Sequence, residues 1–164
     1  MNSRRGRLEW IGLRPERKAP MVVVEQVLAL ADWGLKGDRR MVGSKGSGRQ
    51  VTIISSEFIQ SIADNLGRDT VSVALLRRNI VVSGLNLNAL RHQYFQIGEA
   101  VFQATALCPP CWQMEAALGA GGMVAMCGFG GLCAKIVESG NIRCGDPVVH
   151  IPPGEYRERQ LSLY

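Results

Sequence analysis

Apolar and polar residues alternate over residues 7–13 (RLEWIGL), which puts Leu8, Trp10 and Gly12 on one side and predicts a first strand. A polar, proline-bounded loop follows at 14–20, and the valine-rich run 21–30 predicts a second strand. Residues 34–40 (GLKGDRR) read as a turn carrying three cationic side chains, and 42–48 as a flexible loop that holds Lys45. Residues 49–54 predict a short strand. Ser55 then N-caps a packing helix in which Phe58, Ile59, Ile62, Ala63 and Leu66 recur at helical spacing up to a stop at Gly67. The apolar run 71–76 leads to a strand that opens at Arg77, Arg78 and Asn79, and residues 94–107 form two strands about a turn at Gly98. A second helix is expected over 112–118, ending at Gly119. A strand is expected at 132–138, a turn at 140–145, a last strand at 146–151 and a charged surface tail at 152–164.

Short strands, frequent turns and two modest helices predict a mainly β, barrel-like domain with a few short helices. It occupies residues 1–151, with 152–164 as a C-terminal tail. Strand and helix do not alternate in the rhythm of a doubly wound sheet, and there are no internal repeats.

With 164 residues, 46% hydrophobic and 20% charged, the chain has the composition of one soluble globular domain. No apolar run reaches the ~18 residues that span a bilayer. The basic N-terminus leads into LEWIGL rather than a continuous apolar region, so the expectation is a cytoplasmic protein with no membrane partner. The net charge of +5 comes from nineteen basic residues, fifteen of them Arg. Arginine is the better fork for phosphate and carboxylate, so the bias suits an anionic small-molecule ligand. The arginines are scattered and aromatics are only 6%, which argues against a nucleic-acid partner.

Five cysteines, at 108, 111, 127, 133 and 144, give a single C-x-x-C pair, which does not support a structural zinc site. That pair, Cys108-Pro-Pro-Cys111, joins a strand to a helix. Proline suits a first helical turn, so Pro109 or Pro110 is expected to start the helix and Cys111 to lie in its first turn, where the backbone favours a thiolate. The alternatives are a buried packing cysteine and a thiol–disulfide oxidoreductase pair, the second without the βαβ units of a thioredoxin-like domain. Cys127, Cys133 and Cys144 are expected to be core residues. The glycine-rich segment 119–131 lacks the lysine and serine of a P-loop.

Together GLKGDRR, RQVTIIS, RRNIVVSGLNL, FQIGEA, CPPCWQME, GFGGLCAKIVESG and IRCGDPV resemble, in order from about residue 34 to 149, the MOSC domain, named from the C-terminal part of molybdenum cofactor sulfurase. The resemblance implies a β-barrel-like fold and a molybdopterin-type molybdenum cofactor. The family cysteine, here Cys111, either ligates the molybdenum or carries sulfur as a persulfide. It further implies that Lys36, Asp38, Arg39, Arg77, Arg78 and Asn79 face the cofactor, with Arg77 and Arg78 as phosphate forks and Asn79 as an orienting partner. On this reading the chain is a stand-alone MOSC protein, either an oxidoreductase reducing N-hydroxylated compounds or a sulfurtransferase. The implied partners are an electron-transfer protein, or a cysteine desulfurase that would bring any pyridoxal phosphate. Relatives carry basic residues in the glycine loop, where this chain has Cys127 and Phe129. That departure motivates a further alternative, a non-catalytic binding module.

Overall fold

The computed structural model describes residues 5–43 and 45–163. Through these the chain runs β1 (Gly6–Leu13), β2 (Val22–Val24), β3 (Gln26–Leu30), β4 (Gly34–Leu35), β5 (Val51–Ser55), α1 (Ser56–Asn65), β6 (Ile80–Ser83), β7 (Tyr94–Ile97) and β8 (Ala100–Leu107). It continues with α2 (Trp112–Leu118), α3 (Gly122–Ala125), β9 (Leu132–Glu138), β10 (Gly140–Arg143), β11 (Pro147–Ile151) and α4 (Pro153–Leu161). Seven strands close into a barrel in the order β11-β7-β8-β9-β5-β6-β1, with β1 pairing back onto β11. This is the mainly β, barrel-like architecture that the strand spacing predicts. Closure leaves these strands no open edge. The β5–β6 pair is parallel, and α1 supplies the crossover that a parallel pair requires. The strands β10, β3 and β4 form a separate small sheet.

Alternation along the strands fills the barrel interior with residues such as Leu8, Ile53, Ile80, Phe95, Phe102 and Leu132, and the rings of Phe95 and Phe102 stack at 5.5 Å. A second apolar cluster lies outside the barrel, where Ile54 and Val81 meet Ile62 of α1, Met114 and Leu118 of α2, and Met126. This cluster fixes α2, and with it the C-x-x-C segment, against the outside of β5 and β6. No helix among the described residues is long and apolar enough to cross a membrane.

Several elements depart from the pattern. The register shifts between Leu8 and Trp10, so Leu8 and Ile11 enter the barrel while Trp10 turns to the outer cluster. The run expected as one strand over 21–30 breaks at Glu25 into β2 and β3, which join different sheets. Most of the turn expected at 140–145 is β10, stabilised by antiparallel pairing with β3. The glycine-rich segment contains the one-turn α3. The charged tail is the helix α4, docked by Tyr156, which is buried and stacks on Tyr94 at 3.9 Å.

Ser55 caps α1 as expected, its hydroxyl accepting from the Phe58 N–H at 3.1 Å. Ser55→Ala is expected to cost about 1 kcal/mol, read as a lower urea midpoint at unchanged slope. An unchanged midpoint would mean that water replaces the cap.

Candidate functional site

The site begins with the ladder. Asn79, just before β6, bonds through its N–H to the Thr52 carbonyl on β5, and Thr52 lies directly opposite Cys133 on β9. Thr52 and Cys133 alternate with the barrel residues Val51, Ile53, Leu132 and Ala134, so both face outward. On that outer face lies a buried polar network. Asp38 accepts from the Arg14 N–H at 2.7 Å and its Nε at 3.3 Å, and from the Arg40 N–H at 3.1 Å. Asn79 donates from Nδ2 to Asp38 at 3.0 Å and to the Gly12 carbonyl at 3.0 Å, while its Oδ1 accepts from Arg14 Nη2 at 2.9 Å and the Thr52 N–H at 3.1 Å. Burial pushes the Asp38 carboxyl up, but the Arg14 charge and these bonds outweigh it and hold the group below its ordinary value.

Above this network opens a cleft of about 250 Å³. Six arginines line it, from four segments distant in sequence: Arg14, Arg39 and Arg40, Arg49, and Arg77 and Arg78. Arg78 is buried, with Nε donating to the Gly130 carbonyl at 2.9 Å and Nη1 to the Leu76 carbonyl at 3.0 Å, while Nη2 has no partner. Arg39 Nε is also buried and unpartnered. Arg77 takes the left-handed conformation (φ 55°) and anchors Nη1 on the Ala19 carbonyl at 2.7 Å. Burial first, then the neighbouring Arg14 and Arg39 charges, lower the pKa of Arg40. Crowded cations with unused donors form a receptor for an anion, since an anion relieves both the repulsion and the unmet hydrogen bonding.

The facing wall is sulfur. Cys108, Cys111 and Cys133 all line the cleft. Cys111 is exposed and caps α2 in an extended conformation (φ −132°, ψ 175°) instead of lying in its first turn, because the helix starts only at Trp112, after both prolines. Cys108 follows the end of β8, its N–H bonded to the Gly131 carbonyl at 2.8 Å. A side chain on Gly130 would collide with the Cys108 carbonyl, and one on Gly131 with the Ile53 carbonyl, so this glycine pair is what lets the chain pass so close. On the ladder Cys133 lies two residues from Gly131, the partner of Cys108, and so shares its outer face. The Cys133 hydrogen bond lowers the Cys108 pKa from 9.0 to about 6, against opposing burial and with help from Arg78, Arg49 and Arg14. Cys133 correspondingly shifts upward, since it holds the proton that the pair shares.

The family model for the MOSC domain matches residues 38–149. The chain belongs to the MOSC domain family. Its fold is similar to that of the YuaD protein from Bacillus subtilis, with a TM-score of 0.76 at 19% identity over 90% of this chain and 97% of that one. It is also similar to YiiM from Geobacillus stearothermophilus (TM-score 0.71, 17% identity, 91% and 76% covered) and to YiiM from Escherichia coli (0.68, 18%, 89% and 70%). No curated protein matches the sequence.

Within this MOSC domain, the residues singled out from sequence divide into three groups. Arg39, Arg77, Arg78, Cys108 and Cys111 line the cleft. Asp38 and Asn79 lie in the buried network, where they hold Arg14 and do not face the opening. Lys36 is exposed and is not among the lining residues. Of the charged and thiol-bearing lining residues, Arg14, Arg40, Arg49 and Cys133 were missed, as were the uncharged Thr52, Gln113 and Met114. A signal existed for Cys133, since strict alternation over LCAKI sets it opposite the core-facing Leu132 and Ala134. The arginines carried none, because nothing local distinguishes them from solvated ones. The cleft also opens onto a second hollow of about 440 Å³ lined by Arg17 and Lys18, with Arg39, Arg77, Gln113 and Met114 shared between the two.

Proposed function

We propose that this MOSC domain binds a molybdopterin-type molybdenum cofactor in the arginine cleft, with Cys111 as thiolate ligand to the metal. The observation that carries the reading is the meeting, in one cleft, of six arginines and three cysteine thiols, with buried unpartnered N–H groups on Arg78 and Arg39. That donor set fits a ligand with phosphate at one end and a sulfur-seeking metal at the other. When bound, the cofactor would supply a metal centre that takes up and returns oxygen, and the reaction we propose is reduction of N-hydroxylated small molecules with electrons from a partner protein.

The chain's own residues bind and orient. Arg78, fixed by two carbonyls, presents Nη2 from a rigid position, and Arg39 and Arg77 stand where the cleft meets the second hollow. Asp38 and Asn79 keep Arg14 in place. They act as positioning residues, because both are spent on the network. The extended groove gives room for more than an isolated phosphate.

The test is metal analysis of wild type and Cys111→Ala, both purified from a host that makes molybdopterin. Wild type is expected to carry close to one molybdenum per chain and the variant close to none. Equal metal content in the two would remove Cys111 as the ligand, and no metal in either would remove the cofactor reading.

The exposure of Cys111 supports a second reading, in which it carries sulfur as a persulfide. A cysteine desulfurase, holding any pyridoxal phosphate itself, can reach a thiol at the mouth of the cleft. Persulfide trapping on Cys111 after incubation with a desulfurase and cysteine separates this reading from the first.

A further inference from the structure

The C-x-x-C motif directs attention to Cys108 and Cys111, but the ladder brings a different pair together. Ala104 pairs with Ala134, whereas Ala106 pairs with Cys133 and Leu107 with Leu132, so one extra β8 residue, a bulge at Thr105, enters between them. Regular pairing would leave Cys133 an odd number of positions from the residue opposite Cys108, and the two side chains would point to opposite faces. The bulge changes that offset to an even one and puts both thiols on the outer face, where both line the arginine cleft. The Thr105 hydroxyl at the bulge donates to the Gly48 carbonyl at 2.5 Å and also lies 3.2 Å from the Cys133 carbonyl, so the one proton ties the bulge to the 42–48 loop beside β9.

The surroundings are those of a reactive sulfur. Cys133 is buried, and Cys108 is half-buried. Besides the arginine cleft, Cys108 borders a hollow of about 180 Å³ walled by Leu107, Pro109, Pro110 and Gly130, wide enough for a small oxidant. The unpartnered Nη2 of Arg78 is available on the cleft side to a developing negative charge.

We propose that Cys108 and Cys133 form a peroxide-responsive dithiol, a reversible oxidation site that closes to a disulfide across the β8–β9 bulge. The oxidant is hydrogen peroxide. The Cys108 thiolate attacks one peroxide oxygen, the O–O bond breaks, and hydroxide leaves, so Cys108 becomes a sulfenic acid. Cys108 then no longer bears the charge that held the proton on Cys133. The Cys133 sulfur attacks the Cys108 sulfur, the S–O bond breaks, and water leaves with that proton. The thiols have lost two electrons to the peroxide, and a dithiol reductant restores them. The closed form withdraws two of the three sulfurs from the cleft wall, whether or not the cleft holds a cofactor.

The experiment treats the full chain with hydrogen peroxide and cleaves it with a glutamyl endopeptidase. Cutting after Glu99, Glu115 and Glu138 puts Cys108 and Cys133 on separate peptides. The expected result is a loss of about 2 Da, peptide 100–115 joined to 116–138, and full reversal by dithiothreitol. A chain carrying Cys111→Ser and Cys127→Ser is expected to form the same link. In Cys133→Ala, Cys108 is expected to accumulate as a sulfenic acid captured by dimedone. A link from Cys108 to Cys111, no link in the doubly substituted chain, or direct passage of wild-type Cys108 to sulfinic acid would overturn the proposal.

Discussion

Alkylation of Cys108 by iodoacetamide is expected to rise through a midpoint near pH 6 and to be flat above pH 7, about three pH units below an ordinary thiol at 9.0. The thiolate is the reacting species, and folding stabilises it here, chiefly through the Cys133 hydrogen bond and then through Arg78, Arg49 and Arg14. Reactivity is therefore present above the folded value and is lost as pH falls through it. The profile is the correct readout, not the rate at one pH. At pH 7 the thiolate fraction exceeds that of an ordinary cysteine on the order of a hundredfold, but a less basic sulfur is intrinsically less nucleophilic by roughly twentyfold, so most of the gain cancels. Measured on the metal-free chain in a Cys111→Ser background, Cys133→Ala is expected to move the midpoint up by more than loss of any single arginine. A midpoint that stays put would show that the arginines, not the neighbouring thiol, hold the charge.

Asp38→Ala is expected to destabilise the fold by about 3–5 kcal/mol, the cost of leaving a buried charge without its partner. Arg14 and Asp38 are both nearly inaccessible, and the carboxylate also orders Asn79 and the Arg40 backbone. Removing it leaves the Arg14 guanidinium under a cleft that already holds five other arginines. Because folding lowers the Asp38 pKa, the pair contributes fully above the ordinary carboxyl value of 3.8, and that contribution is lost as pH falls through the lower folded value. Urea unfolding at neutral pH measures the loss. Adding Arg14→Met to Asp38→Ala is expected to recover much of it, since the unpaired cation, not the missing bonds, is the larger penalty. A loss under 1 kcal/mol would show that water reaches Arg14 once the carboxylate is gone.

The same residues show what local reading can reach. The α1 cap at Ser55, the β7–β8 turn at Gly98 and the end of α2 at Gly119 were legible because each depends on a few adjacent residues and their backbone preferences. The docking of α4 was not, since its single buried aromatic, Tyr156, finds Tyr94 only in the closed barrel. Arg39, Arg77 and Arg78 were found through motifs. Lys36, in the same motif as Arg39, points elsewhere, because sequence proximity does not set side-chain direction at a turn.

The class of fold, the order of its principal elements and the MOSC resemblance were readable along the chain, because periodicity, turn chemistry and motif order are properties of neighbouring residues. Which arginines meet, that Asp38 and Asn79 support the cleft instead of lining it, and that Cys108 and Cys133 share a face came only with the folded chain. The physical reason is register. The bulge at Thr105 shifts β8 by one residue against β9, and on a sheet whose side chains alternate, that single residue decides which sulfurs share a face.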